Sequence, residues 1–143
     1  DDLVVMPYAD HGVKLYGNVI IASPKLIKDK PEAIKAFLAA FTKGAKEVMA
    51  NPDPTIDYVK ARDGIINVDL ERRRLRMAID AVVASPDARR EGFGVVVPGR
   101  LALMASQVSD AFGTKTRIDP NAVWTDAFLP PKADLNILPA AKK

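Results

Sequence analysis

The 143-residue sequence predicts an α/β chain with about five helices on a small, mostly parallel sheet. Two observations lead there. Leu3 to Met6 and Asn18 to Ala22 are short runs rich in β-branched, apolar residues, bounded by Pro7, Gly12, Gly17 and Pro24, as buried strands are. Longer segments repeat apolar residues at three- and four-residue steps behind Ser, Asp or Pro starts, as amphipathic helices do.

Ser23-Pro24 has the form of an N-cap followed by proline at the first helical position, and opens a short turn through Lys28. Pro31 opens the strongest helix, with Ile34, Phe37, Leu38, Phe41, Ala45, Val48 and Met49 on one stripe, stopped by Asn51-Pro52. Gly44 inside it costs about 1 kcal/mol relative to alanine, so close packing against a neighbour is expected there. Asp53 or Thr55 caps a shorter helix that ends near Asp63-Gly64. Asp69 caps the next, which runs to about Ala84 and stops at Ser85-Pro86, with Leu75, Ile79, Val82 and Val83 inward. Gly92-Phe93-Gly94 reads as a turn into the apolar run Val95 to Val97. Pro98 then opens a helix with Leu101, Met104, Ala105, Val108 and Phe112 on one face and Gly113 as C-cap. Asp119-Pro120 starts a last short helix, and the tail after Pro131 is expected to fray. Two or three strands make a thin sheet, so the chain reads as part of a lobe whose remaining strands lie upstream of Asp1.

Composition narrows the function. Lys and Arg total 21 against 18 Asp and Glu, and this mild excess of +3 implies no nucleic-acid partner. The sequence has no cysteine, which excludes disulfides, thiol nucleophiles and thiolate-held zinc. His11 is the only histidine, so a metal centre of several imidazoles cannot be assembled from these residues, and no metal or cofactor is expected. Gly92-Phe93-Gly94-Val95-Val96-Val97 starts like a dinucleotide fingerprint but carries Val97 in place of the third glycine. Asn51, Asp53, Thr55 and Asp57 alternate like a calcium loop, yet Ile56 replaces its glycine and Arg62 its closing glutamate. The arginines Arg72, Arg73, Arg74, Arg76, Arg89 and Arg90 have no interleaved aromatics and read as a solvated face paired with acids. No catalytic residue emerges.

Candidate binding residues gather near the start. Tyr8, Asp10, His11, Tyr16 and Asn18 bring two aromatic rings, a carboxylate, an imidazole and an amide into one short stretch. Gly12 and Gly17 beside them let backbone approach a ligand closely. Loops at the ends of regular elements are where such groups are usually presented.

Tyr16-Gly17-Asn18-Val19-Ile20-Ile21-Ala22-Ser23, followed by Lys30-Pro31-Glu32-Ala33-Ile34-Lys35-Ala36-Phe37-Leu38, resembles the NMT1/THI5-like and SsuA-like solute-binding proteins. The resemblance continues through Asn51-Pro52-Asp53, Gly92-Phe93-Gly94, Arg100-Leu101, Val123-Trp124 and Phe128-Leu129-Pro130, in the order of such a protein's C-terminal half. It implies the helix-rich C-terminal portion of a type II periplasmic-binding-protein fold. Residues 1–15 are then a lobe-crossing segment and loop, 16–131 the C-terminal part of the first lobe, and 132–143 a tail. The implied role is the substrate-binding component of an ABC importer for nitrate, sulfonate, taurine or a thiamine precursor. Its partners are a small-molecule solute and a membrane permease, and its location is periplasmic or lipid-anchored outside the cytoplasm. A thiamine-pyrimidine biosynthesis enzyme of the same fold family is the alternative. Apolar surface left without its partner half predicts self-association.

Overall fold

The computed structural model describes residues 3–139 and contains no strand among them. The expected α/β architecture is therefore corrected to an all-helical one. Seven α-helices appear: α1 (Pro24–Asp29), α2 (Pro31–Ala50), α3 (Thr55–Arg62), α4 (Val68–Ala78), α5 (Pro86–Glu91), α6 (Pro98–Phe112) and α7 (Pro120–Val123). A 3-10 turn spans Tyr8–His11, and a π turn, Ile79–Val83, prolongs α4.

The physical reason for the missing sheet lies in the two runs read as strands. Leu3, Val4 and Val5 are more than 80% exposed, and Ile21 is 86% exposed. Neither run finds another backbone to pair with among the described residues, and β-propensity expresses a fit to a pleated, half-buried surface that is not provided here. Val95 to Val97, the third apolar run, is half-buried and irregular, and Val97 serves as the N-cap residue of α6.

The chain divides into two compact units. One joins the residues up to Ile21 with Val96–Asp126, and the other joins Ala22–Val95 with the residues from Ala127 onward.

In the larger unit, the side chain of Ser23 accepts the amide of Leu26 and caps α1, with Pro24 at the first helical position. Ser85 repeats the device at α5, accepting from Ala88 with Pro86 behind it. α1 packs on α2 and α3 on α4. Along α2, Ile34 and Met49 are buried as the apolar stripe requires, together with Thr42, which lies on the same face as Met49. Phe37 and Phe41 stay about half exposed and stack at 6.1 Å, and Phe41 stacks on Phe93 at 6.2 Å. Gly44 has open space where a Cβ would stand, so the expected close packing is not what placed it. Asn67 caps α4 two residues ahead of the Asp69 expected from sequence. At its far end the amide of Ala84 reaches back to the Ile79 carbonyl at 2.7 Å, closing the π turn and leaving Val82 mostly exposed.

Asp53 caps nothing. Its carboxylate instead accepts two 2.8 Å hydrogen bonds from Arg76 of α4, which hold the guanidinium pKa above its ordinary value. Arg72 meets Asp57 and Asp69, Arg74 meets Glu71, and Arg90 meets Asp87 and Glu91. Four of the six arginines, Arg72, Arg74, Arg76 and Arg90, are thus paired with acids at the surface.

Beyond Pro131 the described part of the tail does not fray. Leu135 and Ile137 are among the most deeply buried side chains, with Ile56 and Ala105, each 4% exposed or less. The carbonyl of Leu135 accepts the amide of Phe93 at 2.8 Å, which ties the tail to the Gly92–Gly94 turn. Residues 140–143, the end of the predicted tail, lie outside the described residues.

In the smaller unit, α6 buries Leu101, Ala105 and Ser109 and ends at Gly113 in the left-handed conformation (φ 56°, ψ 42°). Phe112, expected inward, is 80% exposed. Ser109 turns its hydroxyl to the amide of Ile118, which folds the following loop back toward α6, and Asp119 caps α7.

Candidate functional site

The five candidate residues all belong to the smaller unit, and α6 determines how they are held. At its first turn the Arg100 guanidinium donates to the carbonyls of Lys14 (Nε, 2.9 Å) and Leu15 (2.7 Å). The same group lies 4.2 Å over the Tyr16 ring. The Tyr16 hydroxyl accepts the Val97 amide at 2.7 Å, satisfying a donor at the start of α6. One turn on, the Met104 sulfur accepts the Tyr16 amide at 3.4 Å, and farther along Gln107 donates to the Gly12 carbonyl at 3.2 Å. Residues 12–16 are therefore fastened along about two turns of one helix.

The 3-10 turn stands at the near end of that strap. Its backbone closes through Asp10 to Pro7 (3.1 Å) and Val13 to Tyr8 (3.0 Å), and Gly12 leaves it with φ 86°. This is the one place in the segment where a positive φ demands glycine. The turn displays three side chains to solvent: Tyr8 is 78% exposed, and Asp10 and His11 are exposed. None of the three side chains has a hydrogen-bond or ion-pair partner among the described residues. Asn18, beyond the strap, is exposed and equally unpartnered.

Tyr16 differs from the other four. Its hydroxyl is engaged by Val97 and one ring face by Arg100, so it works as an anchor of the segment. Sequence reasoning brought Tyr8, Asp10 and His11 together correctly on one loop. It missed Arg100, Met104 and Gln107, which sit on a helix more than eighty residues away in the chain. Nothing in the local pattern of α6 marks those contacts, except that Arg100 lies near its amino end, where a cation gains nothing from the helix dipole.

Two shallow hollows occur in the larger unit, one along Asp69, Arg72, Arg73 and Arg76 and one, of about 470 Å³, between Met49, Ile79, Arg89 and Leu138. Neither is lined by a candidate residue. Among the described residues no group of three or more His, Asp or Glu side chains is placed to hold a metal ion, and no helix is long and apolar enough to cross a membrane.

Residues 1–55 match the model of a protein family described as NMT1/THI5 like. Over these residues the chain is similar to that family. That family covers substrate-binding proteins of ABC transporters and THI5 enzymes, and in general it binds small-molecule solutes. No curated protein and no solved structure matches the chain. The NMT1/THI5-like segment contains every candidate residue, the 3-10 turn, α1 and α2. Arg100 and Gln107, which strap that segment down, lie beyond it.

Proposed function

We propose that this chain is the solute-binding component of an ABC importer of the nitrate, sulfonate, taurine or thiamine-precursor type, acting outside the cytoplasm and delivering its solute to a membrane permease. The observation that carries the reading is the NMT1/THI5-like match over residues 1–55, within which an exposed turn offers a phenol, a carboxylate and an imidazole unoccupied by other side chains. Such a turn suits capture: its backbone is closed on itself and its stem is fastened to a helix, so little ordering remains to oppose binding. Tyr8, Asp10, His11 and Asn18 are the proposed solute contacts, with Tyr16 as their support.

The test is a thermal-shift series on the full chain with nitrate, taurine, an alkanesulfonate and a thiamine-precursor pyrimidine. A ligand bound to the folded state alone stabilises by about 2.7 kcal/mol at a hundred times its Kd. The expected result is a saturable rise with one of these compounds that is weakened by Asp10→Ala or His11→Ala. Recovery of that compound unchanged after incubation supports capture. Its conversion to another product overturns capture in favour of catalysis, and a flat response to all four overturns the reading.

A further inference from the structure

We propose that the hollow bordered by α2, α4 and α5 binds a small zwitterion with an apolar body, of the class of the apolar amino acids, its carboxylate on Arg89 and its ammonium group on Asp80. The hollow measures about 470 Å³, and all the residues that line it belong to the larger unit. Small-molecule sites have volumes of this order, with apolar walls and a few polar groups that converge on the ligand. Here the apolar side chains lie deeper than the charged ones: Met49 is buried, Ile79 and Leu138 are half-buried, and Arg76, Asp80 and Arg89 are exposed. A ligand seated there meets hydrocarbon beneath it and charge at its edge.

The pairing of those charges selects the ligand. Asp53, which is not part of the lining, accepts two 2.8 Å hydrogen bonds from Arg76 and answers its charge. Arg89 and Asp80 are different. Neither has a hydrogen-bond or ion-pair partner among the described residues, although Arg90, the next residue, holds both Asp87 and Glu91. Nor do they bridge to each other, so one cation and one anion of the same hollow stay available at once. A monoanion would satisfy Arg89 and be repelled by Asp80, and a monocation the reverse. A ligand with both charges satisfies both, through charge-assisted hydrogen bonds that a guanidinium and a carboxylate make well.

The backbone around the hollow is already ordered. Ile79 and Asp80 open the π turn, which the Ala84 amide closes on the Ile79 carbonyl at 2.7 Å. Single π turns of this kind occur frequently at functional sites. Arg89 stands on α5, which Ser85 caps, and Leu138 follows Ile137, which is 3% exposed. Binding therefore has little to order beyond two side chains. The site shares no residue with the proposed solute contacts and does not depend on the importer reading.

Isothermal titration of the full chain with leucine, isocaproate, isoamylamine and glycine tests this, since the last three each lack one part of leucine: the ammonium group, the carboxylate or the apolar body. Leucine is expected to bind tightest, and loss of either charged group to weaken binding about tenfold or more. Arg89→Gln is expected to bring leucine down to the level of isoamylamine. Asp80→Asn is expected to bring it down to the level of isocaproate, while isocaproate itself binds more tightly. Both residues are exposed, so circular dichroism and the urea midpoint should not move in either variant. Asp10→Ala and His11→Ala should leave leucine binding unchanged. No binding of leucine, equal binding of leucine and glycine, tighter binding of isocaproate than of leucine, or a leucine signal that survives both Arg89→Gln and Asp80→Asn would each overturn the proposal. A leucine signal lost in His11→Ala but kept in Arg89→Gln would also overturn it, and would put the ligand at the 3-10 turn instead.

Discussion

Arg100 lies over the ring of Tyr16 at 4.2 Å while its fork holds the two carbonyls that precede that ring in the chain. One side chain thus fixes three consecutive residues, Lys14, Leu15 and Tyr16, to the start of α6. Hydrogen bonds from a charged donor contribute about 1.5–3 kcal/mol and an exposed cation–π contact about 0.5–1 kcal/mol. Arg100→Ala should therefore cost about 2–3 kcal/mol in urea unfolding. Limited trypsin digestion checks the location of the loss, since cleavage after Lys14 should accelerate more than cleavage at Lys60. Arg100→Lys should recover only part of the protection, because an ammonium group cannot reproduce the planar fork.

Tyr16→Phe isolates the other half of the anchor. The ring and its contact with Arg100 remain, but the half-buried Val97 amide loses its acceptor. The expected cost is about 1 kcal/mol, the usual penalty for leaving one such donor unpaired. A double-mutant cycle with Arg100→Ala should give a coupling energy clearly different from zero, because both residues hold the same short segment against the same helix. Additive losses would show that the two contacts act independently.

How much of this was legible in the sequence follows from the range of each interaction. Ser23-Pro24, Pro31, Pro98 and Gly113 marked helix ends correctly, since capping is satisfied within three or four residues. Ser85-Pro86 carried the same local mark and does open a helix, α5, where the sequence reading placed only a stop. Asp53 looked like a cap but found Arg76 twenty-three residues away, and Asn67 displaced Asp69 as the cap of α4. The two apolar runs failed as strands for a related reason. A helix closes its hydrogen bonds within its own segment, whereas a strand needs a second backbone, and no local pattern can show whether one arrives. The candidate turn was legible as a cluster of polar and glycine residues, yet its support by Arg100 and Gln107 is a long-range matter and was not.

Gly44 offers a stabilising substitution. It lies inside the twenty-residue α2, its φ is not positive, and an added Cβ meets nothing within 4 Å. Gly44→Ala removes backbone freedom from the unfolded chain without a steric cost in the helix. The expected gain is about 0.5–1 kcal/mol, visible as a higher urea midpoint at unchanged slope.

Gly92 and Gly94 should respond in the opposite direction and by different amounts. Both have positive φ, 112° and 79°, so any L side chain is strained at either position. At Gly94 an added Cβ meets only Leu129 Cδ2, at an ordinary 3.8 Å, and Gly94→Ala should cost about 1–2 kcal/mol from the backbone alone. At Gly92 it would stand 2.9 Å from the Cβ of Leu135, one of the most deeply buried residues in the chain. Relief requires the tail to move, and the 2.8 Å bond from the Phe93 amide to the Leu135 carbonyl must stretch as it does. Gly92→Ala should thus add an overpacking cost of about 1–3 kcal/mol to the backbone strain. Amide exchange at Phe93 separates the two effects: it should quicken sharply in Gly92→Ala and little in Gly94→Ala, and equal exchange in both would mean that the tail does not press on Gly92.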